Sequence, residues 1–410
     1  MLFKLGLKNL RHNLLMNILT ILQMTVAFVI LITMISTIVS RFKHYIPIKE
    51  FLNSNGYFYS IQYGINPETG LTLRTTNEIY DLIEGEDVVA AQYTPWLRYS
   101  TDGQEEVRTE EENGYTDRFV SYDDKFAEIY TPDLESGHWF NLNKPVGDTI
   151  QVVISKNDYE LKTGDVISLY CFDTEIKAEI IGILKDDTKI IDQSTRSAEK
   201  IDYRNFYNDF KLEREEAPVF LMLQRELIDK PVVMQLSGNV FVTYPDNASP
   251  ETIEKGNQTM KQLHSAYTSS TENMKKNSLE YIFSQLYNLM PIFICVLILT
   301  LVGAVSTSAL SAKRQLKNYA VYYICGLKWR QCATVNFFSS LTCVLISFAL
   351  SIGSAFIAKT TGLLGGTVIE LGWWQILGCF AVIIIYMLLS IILPLNIIGS
   401  STPNQVLKSN

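Results

Sequence analysis

The apolar positions of this chain form four long runs separated by one long interruption. Residues 16–40, 286–310, 333–358 and 373–393 are each apolar over the ~20 residues that a helix needs to cross a bilayer. They predict four membrane spans, TM1 to TM4. Ahead of them, residues 1–15 put Leu2, Phe3, Leu7, Leu10 and Leu14 near one helical face, interrupted by Lys4, Lys8 and Arg11. That pattern predicts a cytoplasmic amphipathic helix lying on the inner membrane surface.

Residues 41–285 change period. Tyr57–Tyr63, Val88–Tyr93, Ile150–Ile154, Val166–Phe172, Ile176–Leu184, Ala217–Leu223 and Val240–Tyr244 are rich in β-branched and aromatic residues and predict strands. Thr76–Glu84, capped by Thr76 or Asn77, and Ser249–His264, opened by Ser249-Pro250-Glu251, predict helices. Lys162-Thr163-Gly164-Asp165 predicts a turn. Asp102–Asn113 and Lys185–Lys211 read as a solvated charge run and a polar, irregular stretch. Asn273–Leu289 predicts a helical stalk running into TM2. The expected fold is a polytopic α-helical membrane protein with four transmembrane helices. A large extracytoplasmic α+β domain, a mixed subdomain with a β-rich one inserted, lies between TM1 and TM2.

Charge sharpens this picture. All 43 acidic residues except Glu370 lie between Arg41 and Gln285, whereas the flanking parts are basic. An acidic insert in a basic apolar frame excludes a nucleic-acid binder, which needs a clustered basic face. Residues 311–332 hold Lys313, Arg314, Lys317, Lys328 and Arg330 and no acid. Short basic loops stay on the cytoplasmic side. This stretch is therefore a cytoplasmic loop between TM2 and TM3, and it places both termini inside. Residues 359–372 become an outer loop, with Trp373 and Trp374 at the interface. Pro394 ends TM4, and residues 394–410 form a cytoplasmic tail.

Chemistry is sparse. Cys171 is alone in the insert, and the other five cysteines lie in or beside the spans. No metal-ligand spacing, P-loop or hydrolase motif occurs. The pairs Asp123-Asp124 and Asp186-Asp187 read as solvated turns. The spans lack polar lining and carry no ionisable residue between their flanks, which argues against a proton- or sodium-coupled carrier. In TM2, Gly303, Ala304, Thr307 and Ser308 are small residues at four-residue spacing, a pattern that lets helices approach closely.

Three stretches together resemble the permease subunits of MacB/FtsX-type ABC transporters, with MacB-like topology. In the insert, Gly137, Trp139 and Phe140, then Gly164 and Asp165, then Gly182 match successive family motifs. In the loop, Ser311-Ala312-Lys313-Arg314 and Ile324–Gln331 match the family's basic turnaround. In the tail, Pro394 and Thr402–Lys408 match its ending. Asn318 departs from the acid often found there in the family. The resemblance implies a permease that is not itself an enzyme and binds no cofactor directly. ATP and Mg would be supplied through two copies of a separate ATPase, docked on a dimer with itself or a related permease. Lys313, Arg314, Gly326, Leu327, Lys328, Trp329 and Arg330 would form the ATPase-coupling loop. The spans would transmit closure of the ATPases to the extracytoplasmic domain by mechanotransmission. The work done would be export or removal of a peptide, toxin or lipid-linked substrate. The alternative is an FtsX-like signalling protein regulating an extracellular partner such as a cell-wall hydrolase. Either reading places the chain in a bacterial plasma membrane. A receptor without an ATPase is a third reading.

Overall fold

The computed structural model describes residues 5–6, 10, 14–99, 118–157, 159–186, 188–192, 200–209, 218–328, 331–361 and 372–399. The chain divides into two compact units, Met1–Lys43 with Ile282–Asn410, and His44–Tyr281. The expected charge-run loop Asp102–Asn113 lies outside the described residues, as do Trp329, Arg330 and the tail motif Thr402–Lys408.

The first long helix, α1 (Leu14–Tyr45), does not stop at residue 40 but runs on through Arg41 and Lys43. The second unit then unfolds in order. A short helix α2 (Lys49–Asn53) leads to β1 (Asn55–Ile61), α3 (Thr76–Leu82), β2 (Val88–Pro95) and β3 (Arg98–Tyr99). After the undescribed segment come β4 (Arg118–Tyr122), α4 (Asp124–Ile129), β5 (Leu134–Gly137), β6 (Ile150–Ile154), β7 (Val166–Cys171) and β8 (Thr174–Leu184). The unit finishes with β9 (Lys189–Ile191), β10 (Tyr207–Asp209), β11 (Val219–Leu223), β12 (Met234–Tyr244), α5 (Pro250–Lys261) and β13 (Ser265–Ser270).

One sheet holds most of these strands, in the order β13-β1-β12-β2-β4-β11-β6-β8-β7-β3, with β5 added against β8. Strands β9 and β10 pair separately. Pairing is parallel for β4 with β11 and β6 with β8, and antiparallel elsewhere. Strands β6 and β11 are buried along their whole length, which is why both read as unbroken apolar runs rather than alternating ones. Two apolar clusters fill the unit. Tyr59, Ile79, Leu236 and Met260 centre one, and Phe119, Ile180, Phe220 and Met222 centre the other.

Several sequence expectations are corrected here. The cap of α3 is Thr75, one residue earlier than Thr76 or Asn77. The Thr75 hydroxyl accepts from the Glu78 N–H, and the Glu78 carboxylate accepts from the Thr75 N–H in return. Within the polar stretch Lys185–Lys211, expected to be irregular, the described residues include β9, β10 and a 3-10 turn over Tyr203–Phe206. Strand β7 ends at Cys171, and Phe172 is the turn residue that follows it, at φ 51.

The first unit resumes within α6 (Thr271–Arg314), a single helix that contains Pro291. Next come α7 (Leu316–Ile324), α8 (Gln331–Thr361) and α9 (Trp373–Gly399). Helices α1 and α6, and Thr334–Lys359 of α8, are long and apolar enough to cross a membrane, and α9 is apolar over Trp373–Leu389. Pro394 does not end α9, which continues to Gly399. Proline is tolerated inside apolar helices whose neighbours satisfy the freed carbonyl. Helix α1 packs one face into this group. Its Met24 and Phe28 are fully buried among residues of α6, α8 and α9, including Phe293, Val344, Cys379 and Tyr386. Gly6 abuts Phe338 and Val335 of α8 closely enough that a side chain there would collide.

Candidate functional site

The basic turnaround is built by two helix caps. Helix α6 ends at Arg314, where buried Gln315 breaks the helix and donates from its side-chain amide to Ser311 Oγ at 3.2 Å. Helix α7 ends in a Schellman arrangement. The Leu327 N–H bonds the Tyr322 carbonyl at 3.0 Å, the Gly326 N–H bonds the Tyr323 carbonyl at 3.0 Å, and Gly326 sits at φ 97. This conformation favours glycine because it has no Cβ. Gln331 then starts α8. Its side chain accepts from the Lys328 N–H at 3.0 Å, and its own N–H bonds the Lys328 carbonyl at 2.8 Å. The run Gly326-Leu327-Lys328 and Gln331 is thus a pair of reciprocal caps holding α7 against the base of α8. Tyr319, Ala320 and Leu327 face inward, and the Cys332 thiol lies 3.8 Å from the Tyr319 carbonyl. Lys313, Arg314, Lys317 and Lys328 face outward.

The small residues of TM2 meet α1. Thr307 Oγ1 lies 3.3 Å from Thr20 Oγ1, and a Cβ at Gly303 would come within 3.1 Å of Gln23 Oε1. The side chains of Ala304 and Ser308 lie outside the description. The expectation of spans without polar lining is corrected. Ser347 Oγ bonds the Ile21 carbonyl at 3.1 Å, Gln375 donates to Ser36 Oγ at 3.2 Å, and Asn336 and Ser351 are buried. Ser347 and Gln375 bond a neighbouring helix and Ser351 bonds the Phe348 carbonyl in the preceding turn, so these polar groups hold helices together without any charge. At the outer end, Arg41 donates to the Ile282 carbonyl and Ser284 Oγ, both at 3.4 Å, fastening α1 to α6.

In the α/β domain the segment Lys200–Tyr207 ties the incoming and outgoing helices to the sheet. The Tyr203 N–H donates to Ser278 Oγ at 2.9 Å, and Asn277 Nδ2 donates to the Ile201 carbonyl at 2.9 Å. Lys200 pairs with Glu280 at 3.1 Å, and the Arg204 guanidinium stacks 3.6 Å over the Tyr281 ring while forking onto buried Asp202. On the α1 side, Tyr45 packs on Tyr203 and His44 on Tyr207. Phe206 then plugs the fully buried aromatic cluster of Phe58, Phe126 and Phe241. Sequence reasoning missed this strap because its polar residues look like loop.

A second miss is Asp123. It is not in a solvated turn but buried, and it accepts from the Ala91 N–H at 2.7 Å, the Phe126 N–H at 2.9 Å and Thr76 Oγ1 at 3.2 Å. Burial pushes its carboxyl up to about 7 against the lowering effect of those donors. Asp186, by contrast, is exposed and pairs with Lys156 at 3.0 Å. Cys171 is buried, and its sulfur accepts from the Val233 N–H at 3.4 Å. The residues of the family resemblance in the insert have structural work. Gly137, at φ 80, lies so close to the Ile181 carbonyl and Gly182 that a Cβ would collide, and Trp139 Nε1 donates to the Ala127 carbonyl at 2.9 Å. Among the described residues no group of histidine, cysteine or acidic side chains is placed to hold a metal.

The class defined by these features is a membrane protein carrying an α/β domain between its first and second long apolar helices. No family model matches the chain, and no curated protein matches it. Among solved structures, it is similar to the periplasmic region of MacB from Actinobacillus actinomycetemcomitans, at 9% identity over 56% of this chain and 94% of that one, TM-score 0.31. It is also similar to the extracellular domain of the noncanonic ABC-type transporter YknZ from Gram-positive bacteria, at 13% identity over 53% of this chain and 99% of that one, TM-score 0.28. Likeness at this level does not identify the chain.

Proposed function

We propose that the chain is the permease subunit of an ABC transporter of the MacB/FtsX type, a four-span membrane protein with both termini in the cytoplasm. The observation that carries this reading is the continuity of α6 from the strap of the α/β domain to the basic turnaround, Thr271 to Arg314. One unbroken helix joins an exposed cationic surface at one end to a large folded domain at the other. It passes through a span that meets α1 through uncharged groups at Thr307 with Thr20 and Gly303 with Gln23. That arrangement suits movement of helices better than passage of a charged solute. In this reading Lys313, Arg314 and Gly326–Arg330 receive two separate ATPase subunits, which bind ATP and Mg. The permease acts as a dimer and converts nucleotide-driven closure into movement of the extracytoplasmic domain. The work done is export or removal of a peptide, toxin or lipid-linked substrate. The decisive experiment is mass spectrometry of the mildly solubilised, affinity-purified protein. A P-loop ATPase recovered in equal amount supports the reading. Recovery of a wall hydrolase with the ATPase shifts it to signalling, and a stable dimer without any ATPase overturns it.

A further inference from the structure

The outward face of α7 is not what an aqueous loop requires. Lys317, Val321 and Ile324 stand at the i, i+4, i+7 spacing of one helical face. Val321 is 51% and Ile324 67% exposed. Lys313 and Arg314, at the end of α6 before the break at Gln315, are exposed as well. Tyr319, on the opposite face, is completely buried. Helix α7 is therefore amphipathic in both directions: one side is packed on the protein, and the other grades from cationic to apolar.

We propose that this outward face of α7 seats in the headgroup region of the inner leaflet and binds anionic lipid, leaving Lys313 and Arg314 at the end of α6 and Gly326–Arg330 at the tip free for the ATPase. Two observations select a lipid surface. First, α7 is joined through single short breaks to α6 and α8, both long and apolar enough to span a bilayer, so it is held where hydrocarbon gives way to water. Second, residues 311–331 contain five cations and no acid, complementary to the anionic cytoplasmic leaflet. Lys317 reaches the phosphates, and Val321 and Ile324 enter the acyl boundary. The lipid holds α7 from outside while the caps at Gly326 and Gln331 hold it from inside, so a push on the turnaround tip is delivered to α6 rather than absorbed by rotation of α7. This inference rests on the cytoplasmic placement proposed above.

The test uses the full chain carrying a spin label at Ile324→Cys, with Cys295 and Cys325 changed to serine. It is reconstituted in vesicles of POPC alone and of POPC with roughly a third POPG. The expected result is that oxygen reaches the label more readily than a water-soluble nickel chelate, most strongly with POPG. In a mass-spectrometric count of co-purified lipid, the Lys317→Gln variant loses preference for POPG over POPC by roughly fivefold, the effect of one charge. Equal nickel access in both vesicles, or protection that appears only when the ATPase is added, overturns the proposal and assigns the face to a protein. Failure of the topology is read separately, because labelling of native, exposed Cys325 by an impermeant maleimide from outside intact cells overturns the cytoplasmic placement itself.

Discussion

Asp123 shows how much one carboxyl can do in this domain. It begins α4, bonds the Ala91 N–H of β2 and holds Thr76 at the start of α3, so three elements meet on one side chain. Asp123→Ala removes a helix cap, worth about 1 kcal/mol, and strands a buried backbone N–H, worth about 1–3 kcal/mol. The expected loss is about 2–4 kcal/mol, measured by denaturant unfolding of the α/β domain. The folded carboxyl titrates at about 7, well above the ~4 of an unfolded aspartate. Its contribution is therefore fully present below about pH 4 and lost as pH rises through about 7. Asp123→Asn keeps an acceptor and removes the titration. The difference in unfolding midpoint between wild type and Asp123→Asn should thus change between pH 4 and 7 and be flat above it. A constant difference across that range refutes the assignment.

At the level of elements, the strap Lys200–Tyr207 is the junction on which the stalks depend. Asp202 is 3% exposed and receives the Arg204 fork as well as capping the 3-10 turn. Removing one partner of such a pair leaves a buried polar remnant. Asp202→Ala is expected to cost about 2–3 kcal/mol through lost cap and pair. It should raise hydrogen exchange in residues 200–209 and in the first turns of α6, while leaving β6 and β11 protected. Exchange unchanged at α6 would show that the strap does not brace it. This junction was the part least legible in the sequence. Apolar runs of the length of α1 and α6 have only one reading, and glycine followed by a basic segment announces the turnaround. Asp192, Asp202 and Asn205 are polar letters that signal solvent, yet all three are buried because they bond the elements around them. Strand β13, Ser-Ala-Tyr-Thr-Ser-Ser, has no alternation to betray it and is a strand because β1 lies beside it. Asp123 hid for the same reason as Asp202: burial by neighbours distant in sequence is not written in local pattern.

For the whole molecule, the central expectation concerns transmission. Gly326 occupies a left-handed corner with open space around it, so substitution there alters the backbone and not the packing. Gly326→Pro removes the N–H that closes the cap onto the Tyr323 carbonyl and cannot adopt φ 97. With Arg330→Glu, it is expected to abolish substrate-stimulated ATP hydrolysis in the reconstituted complex by at least about tenfold, a change of roughly 1.4 kcal/mol in coupling. Membrane insertion should be unaffected. Unchanged stimulation in both variants would remove the turnaround from the mechanism. The strand order adds a directional consequence. Strand β1, the first of the domain, lies antiparallel to β13, the last, with Tyr57 opposite Ser270, so the two chain ends emerge side by side from one end of the sheet. Force that drives both ends along the strands together loads the ladder of β1 with β12 in shear, where its perpendicular hydrogen bonds break only as a set. Force that splays the ends peels β1 from β13 one bond at a time. The domain is therefore stiff to a piston stroke and weak to a wedge, and the strap across its two ends is its defence against the wedge.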